Sequence, residues 1–186
     1  MTTALNKQNY NIFLSKEFAI NGSQTFNQYD PRITVLEKSV LVSWTSIDLS
    51  GKRGVYIKRF NSFTSQGVIS LVNTDSKLEG YTPSIDSLYK NYAITFTGSK
   101  LNQDKTNIYS QIYDSTGALF KQEFKLDNSD SKQSQYSSVA MLYNGEIAAV
   151  WTANDQNKKQ QISGCVTKNK VNKNKDIFNC AINGKE

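Results

Sequence analysis

A unit of about 52 to 55 residues occurs three times in this chain. A chain built that way has to bury the apolar face of each unit against its neighbour. Tyr29-Asp30-Pro31, Tyr81-Thr82-Pro83 and Gln135-Tyr136-Ser137 open the three units. Each opening is followed by an apolar residue (Ile33, Ile85, Val139) and a leucine (Leu36, Leu88, Leu142), and then by an apolar run closed by a large aromatic (Trp44, Phe96, Trp151). A third apolar stretch holds Tyr56, Tyr109 and Ile162, spaced by 53 residues each.

Within a unit the pattern predicts four short strands, a to d. They fall at 32–36, 40–44, 54–60 and 67–73 in the first unit, at 83–88, 92–96, 108–113 and 119–126 in the second, and at 138–142, 147–151, 161–166 and 177–182 in the third. Strand b is nearly all apolar, as a strand covered on both faces is, whereas strand c alternates. Tyr143-Asn144-Gly145-Glu146 reads as an Asn-Gly hairpin turn. No segment carries a helical period. The fold expected is therefore all-β and a single domain, with repeats at 22–73, 74–128 and 129–183 forming β-propeller-like blades; a β-trefoil is the alternative.

Residues 10–21 match strand d of the other units, which makes a fourth copy of d with no a, b or c beside it. An unpaired strand seeks a sheet edge. It is expected to close the ring within the chain, to pair with a second copy in a homo-oligomer, or to mark a piece of a longer array. Three units are fewer than the roughly 4 to 8 blades of a closed propeller; two chains would supply six.

Apolar residues make up 38% of the 186, yet there are 10 tyrosines and 9 phenylalanines. That balance suits half-buried strands with wet outer faces, since a disordered chain would lack the aromatics. The net charge is +6, concentrated in Lys168, Lys170, Lys173 and Lys175. This run reads as a solvated hairpin loop, and with only Arg32, Arg53 and Arg59 available for phosphate contacts, nucleic acid is not an expected partner. No stretch approaches the ~18 apolar residues of a membrane span, and residues 1–8 lack the apolar core of a signal peptide.

The absence of histidine removes Ser-His-Asp and Cys-His catalysis and the commonest metal ligand. No phosphate-binding glycine loop or nucleophile elbow is present. No cofactor or metal is expected, although Asp127-Asn128-Ser129-Asp130-Ser131 offers oxygen ligands and reads primarily as a turn. Cys165 and Cys180 fall on the last two expected strands, where two readings stand: a disulfide, or a pair of reduced buried thiols.

Tyr29, Tyr81 and Tyr136 lie at or next to the repeated opening, where aromatics can stack on sugar rings or wedge between units. The polar b–c loops, with Asp48, Asp104 and Asn154, form the second candidate surface. A carboxylate pair for glycoside hydrolysis would come from Asp30, Asp48, Glu79, Asp86, Asp104, Asp114, Asp127 or Asp130.

The unit resembles tandem repeats of large secreted or surface adhesin-like and hemolysin-type bacterial proteins. The resemblance rests on Asn21, Gln28 to Pro31, Val40 to Trp44 and Val55 to Asn61, and on their counterparts Asn73, Pro83, Tyr92 to Phe96 and Ile108 to Asp114 with Gly117. Phe96 and Ser137 depart from its Trp and Pro, and the glycine-aspartate runs that bind calcium in the hemolysin type are absent. The resemblance implies an extracellular or cell-surface setting and a passive platform. The expectation is a non-enzymatic binding or structural module for a protein or glycan partner, the alternatives being a lectin and a carboxylate-pair glycoside hydrolase.

Overall fold

The computed structural model describes residues 17–21, 27–60, 67–101, 103–127, 133–143, 145–154, 157, 159–172 and 175–181, with backbone alone from 168 onward. Twelve strands run through them: β1 (Gln28–Leu36), β2 (Ser39–Ile47), β3 (Arg53–Phe60), β4 (Ile69–Leu71), β5 (Leu78–Leu88), β6 (Asn91–Lys100), β7 (Thr106–Asp114), β8 (Leu119–Lys125), β9 (Ser134–Met141), β10 (Ile147–Asn154), β11 (Gln160–Asn172) and β12 (Lys175–Ala181). They form three four-stranded antiparallel meanders, β1 to β4, β5 to β8 and β9 to β12. Each sheet lies inside one sequence repeat. Among the described residues no hydrogen-bonded ladder joins one sheet to another. A single barrel shared by the repeats needs such ladders, so the trefoil alternative is set aside.

The sheets stack. The first strand of each lies across the three leading strands of the sheet before it, β5 on β1, β2 and β3, and β9 on β5, β6 and β7. Leu41, Val55 and Leu36 meet Phe96, Ile94 and Tyr109 in one core; Ile108, Ile112 and Leu126 meet Met141, Ile147 and Trp151 in the next. This explains why the second strand reads apolar almost throughout: β2 and β6 are covered on both faces.

The first strands begin four or five residues earlier than the sequence pattern suggests. The repeated Tyr-Asp-Pro opening is not a turn ahead of the strand but a β-bulge inside it. The pairing register shifts between Tyr29 and Arg32, between Tyr81 and Ser84, and opposite Val150 and Thr152. At each bulge a non-glycine residue takes positive φ: Asp30 at 56°, Thr82 at 48° and Tyr136 at 56°. Such a conformation costs of the order of 1–3 kcal/mol and persists where its surroundings hold it. The preceding sheet does the holding: the Thr82 N–H donates to Thr45 Oγ1 at 3.0 Å, and the Tyr136 N–H to Thr97 Oγ1 at 3.3 Å.

Tyr136 therefore matches Thr82 and Asp30, and Gln135 is the counterpart of Tyr81. The third apolar stretch shifts likewise. Tyr56 pairs with Trp44, Tyr109 with Phe96 and Ser163 with Trp151, which leaves Ile162 as the counterpart of Val55 and Ile108. Thr97 is fully buried and also hydrogen-bonds Thr82 Oγ1 at 2.6 Å. Thr97→Val keeps its shape but removes the acceptor of the Tyr136 N–H and the partner of the Thr82 hydroxyl, both part-buried bonds between or within the sheets, and is expected to cost about 1 kcal/mol. A melting temperature equal to wild type would contradict the inter-sheet bond.

The links between sheets repeat as well. Asn73 Oδ1 accepts the Val55 N–H at 2.9 Å while its amide donates to Leu78 O at 3.0 Å. Asp127 occupies the same place one repeat on and accepts the Ile108 N–H at 3.2 Å, and its buried carboxyl faces the Ser134 hydroxyl, which offsets only part of the burial. Burial pushes the Asp127 carboxyl above its ordinary range. An acid whose pKa is raised by folding is fully tolerated below its unfolded value and subtracts stability once the pH climbs through the shifted one. Asp127→Asn is thus expected to raise stability at neutral pH by about 1 kcal/mol, the net worth of one hydrogen bond, and to lose that advantage on acidification. Thermal melts at both pH values check it.

Most of the expected spare strand at 10–21 lies outside the described residues; its described end, 17–21, forms no strand. It packs on the outer face of the first sheet. Phe18 meets Phe60 edge-on at 6.4 Å, Ile20 joins the cluster of Val42, Trp44 and Phe60, and Lys58 Nζ donates to Ile20 O at 2.8 Å. At the far end, Cys165 is buried and disulfide-bonded, and the chain's other cysteine, Cys180, stands opposite Thr167 in the β11–β12 ladder.

Candidate functional site

Antiparallel order brings the starts of β1, β5 and β9 and the loops after β2, β6 and β10 to one end of the stack. There Arg53, the first residue of β3, reaches from the first sheet to the second. Its Nε and Nη2 donate to Glu79 Oε2 at 3.1 and 2.8 Å, and its guanidinium carbon sits 4.0 Å from the centroid of the Tyr81 ring. Tyr29 lies within electrostatic reach of Arg53, Asp30 and Glu79; Tyr81 within reach of Arg53, Glu79, Tyr136 and Tyr29.

The three sequence-selected tyrosines thus converge, although Tyr136 is largely exposed while Tyr29 and Tyr81 are half-buried. Burial raises the pKa of both half-buried phenols against the opposing pull of Arg53, so they remain protonated donors at neutral pH. Burial works to lower the Arg53 pKa, but the hydrogen bonds and charge of Glu79 outweigh it and leave the guanidinium above its ordinary value. With Arg53 36% and Glu79 20% exposed, the pair contributes little to stability. Its effect is to fix Glu79 and to lay a planar cation on Tyr81.

Asp30 enters through its bulge. Positive φ turns the chain locally and re-aims the side chain, and Asp30 is half-buried next to Tyr29. The end of the stack therefore carries two carboxylates, one guanidinium and two protonated phenols from two sheets. A groove of about 150 Å³ lined by Tyr29, Pro31, Gln28, Trp44 and Val42 adjoins it on the outer face of the first sheet. Such a group suits a polyhydroxyl ligand, with aromatic faces for sugar rings and charged groups for hydroxyls.

The b–c loop residues behave differently. Asp48 is fully exposed and caps its own loop, accepting from Ser50 N, Ser50 Oγ and Lys52 N at 2.8, 2.6 and 3.0 Å. The Ser50 hydroxyl foremost, with the Lys52 N–H, holds its pKa below the usual carboxylate value. Asp104 and Asn154 are joined through Gln133, whose Nε2 donates to Asp104 O at 3.2 Å and whose Oε1 accepts from Asn154 Nδ2 at 3.5 Å. Of the other carboxylates, Asp86 accepts the Met141 N–H across the sheets at 2.7 Å, Asp114 caps the turn after β7, and Asp130 lies outside the described residues. Among the described residues no three His, Cys, Asp or Glu are grouped to hold a metal ion.

Arg53 escapes a reading based on repeats because neither other sheet has an arginine there. In sequence it directly precedes the expected strand c at 54–60; the structure extends that strand to pair Arg53 with Ile47, at the end where the tyrosines gather.

No protein-family profile and no curated protein matches this chain. Solved structures do. An endo-arabinase from Bacteroides thetaiotaomicron is 18% identical with a TM-score of 0.53 over 83% of this chain and 60% of that one. A thermostable family-43 glycoside hydrolase is 8% identical with a TM-score of 0.57 over 88% and 61%. An alpha-L-arabinofuranosidase from Lactobacillus brevis is 12% identical with a TM-score of 0.52 over 75% and 52%. This chain therefore spans between half and two thirds of the length of each, and at these identities the likeness is one of fold. The finding corrects the expectation of a non-enzymatic, protein-binding or structural module: these three structures of similar fold are an endo-arabinase, a family-43 glycoside hydrolase and an alpha-L-arabinofuranosidase.

Proposed function

We propose that this chain acts on a glycan as a glycoside hydrolase, with Asp30 and Glu79 as its carboxylate pair. The three sheets are blades of a β-propeller, and the site lies where their first strands begin. The observation that carries the reading is that the charges of Asp30 and Glu79, from two different sheets, both act on Tyr29, with Arg53 bonded to Glu79. Glycosidic cleavage uses one carboxyl group to protonate the departing oxygen while a second activates water or attacks the sugar carbon. Tyr29 and Tyr81 supply ring faces and hydroxyl donors for the sugar. The structures of similar fold, an arabinase and an arabinofuranosidase among them, make pentose-containing glycans the first substrates to test. Purified protein is expected to release chromophore from an arabinofuranoside or xyloside, or reducing ends from arabinan or xylan. No release from any of the four would overturn the reading.

A further inference from the structure

The contact between neighbouring sheets is made twice within the chain, and both of its halves recur at the two ends of the stack. On the leading side, Ile85 and Val139 in β5 and β9 are 8% and 9% exposed because the preceding sheet covers them. Their counterpart Ile33 in β1 is 68% exposed, and Val35, which matches the buried Met141, is exposed too. On the trailing side, Val55 and Ile108 are 0% exposed beneath the following sheet, whereas their counterpart Ile162 in β11 is 77% exposed, next to an exposed Val150. The polar element of the contact recurs in the same way. Thr45 and Thr97 receive the bulge N–H groups of Thr82 and Tyr136; Thr152 holds the equivalent place on β10 and Asp30 the equivalent bulge on β1, with no further sheet stacked on either among the described residues.

We infer that the face bearing Thr152, Ile162 and Val150 binds the face bearing Asp30, Ile33 and Val35 of a second copy of this chain, head to tail. The occupant follows from continuity: each end face is one half of an interface that the chain already forms, and the other half is at its own opposite end. Unlike faces meeting in this way give a heterologous contact. Only the leading three strands of the partner's third sheet are needed, since within the chain the first strand of each sheet lies across three strands of its neighbour. Ile20 already packs on the outer part of the first sheet's face, as Val72 and Leu126 do in the two internal contacts. Isolated apolar side chains on a surface need no explanation; Ile33 and Ile162, exposed at the two ends while Ile85, Val139, Val55 and Ile108 are buried at the internal equivalents, do. The inference stands apart from the hydrolase reading, because its readout is mass.

The test is the solution mass of the full chain against Ile33→Asp and Ile162→Asp, each on an exposed position that leaves the internal cores intact, with Val35→Lys and Val150→Lys as a second pair should either fold poorly. Wild type is expected to self-associate with increasing concentration. Each single variant is expected to be monomeric, because every contact it makes with itself contains one lesion. An equimolar mixture of the two is expected to give a two-copy species, since the unaltered trailing face of one meets the unaltered leading face of the other. A monomeric wild type overturns the inference, and so does a mixture that stays monomeric.

Discussion

Glu79→Gln is expected to lower turnover of a cleaved glycoside by roughly 10²- to 10⁴-fold, the range over which a positioned acid or base acts, with the fold intact. The substitution keeps the volume and one acceptor oxygen for Arg53 but removes the carboxylate that the reaction needs. The stability effect is expected to stay within about 1 kcal/mol, because the Arg53–Glu79 pair is 36% and 20% exposed and solvent screens it. Asp30→Asn should behave alike, since asparagine tolerates the positive φ of 56° at that bulge. Steady-state kinetics beside a thermal melt separate the two effects. Turnover unchanged in both variants would remove these residues from the chemistry.

Phe96→Ala is the largest structural effect expected, a loss of about 3–5 kcal/mol against a total of roughly 5–15 kcal/mol for a domain. Phe96 is fully buried between the first and second sheets and stacks on Tyr109 with ring centroids 5.8 Å apart. Tyr109 cannot follow into the space without losing its own seat: a Cβ added at Gly98 would lie 2.4 Å from its ring, so the ring is held flat against the glycine. The cavity therefore stays open and its full penalty is felt. Urea unfolding should show the midpoint falling while the slope holds. A loss under about 1 kcal/mol would mean that the sheets are not packed through this ring.

The repeat made the stack legible because its period and its buried aromatics depend on side-chain volume, which sequence displays directly. Trp44, Phe96 and Trp151 are buried as that pattern requires. What stayed hidden depends on backbone geometry. Tyr29-Asp30-Pro31 looks like a turn, since proline and aspartate favour turns, yet it lies within β1 as a bulge whose φ only the structure displays. The same one-residue shift is why Tyr136 and Ile162 align differently in sequence and in space. At the site, carboxylates and tyrosines could be named from the repeat, but not the choice of Asp30 and Glu79 among eight acids. That choice depends on Arg53, a residue of one sheet that bonds the next. Asp48 and Asp114, equally prominent in sequence, cap their own turns.

The most direct test of the central claim is a titration of the folded protein with a xylo- or arabino-oligosaccharide, followed by amide chemical shifts residue by residue. The account predicts shifts clustered at Asp30, Arg53, Glu79 and Thr82, where the first strands begin. Shifts confined to the opposite end, at the turns of Glu37 and Tyr89, or none at saturating sugar, would contradict it.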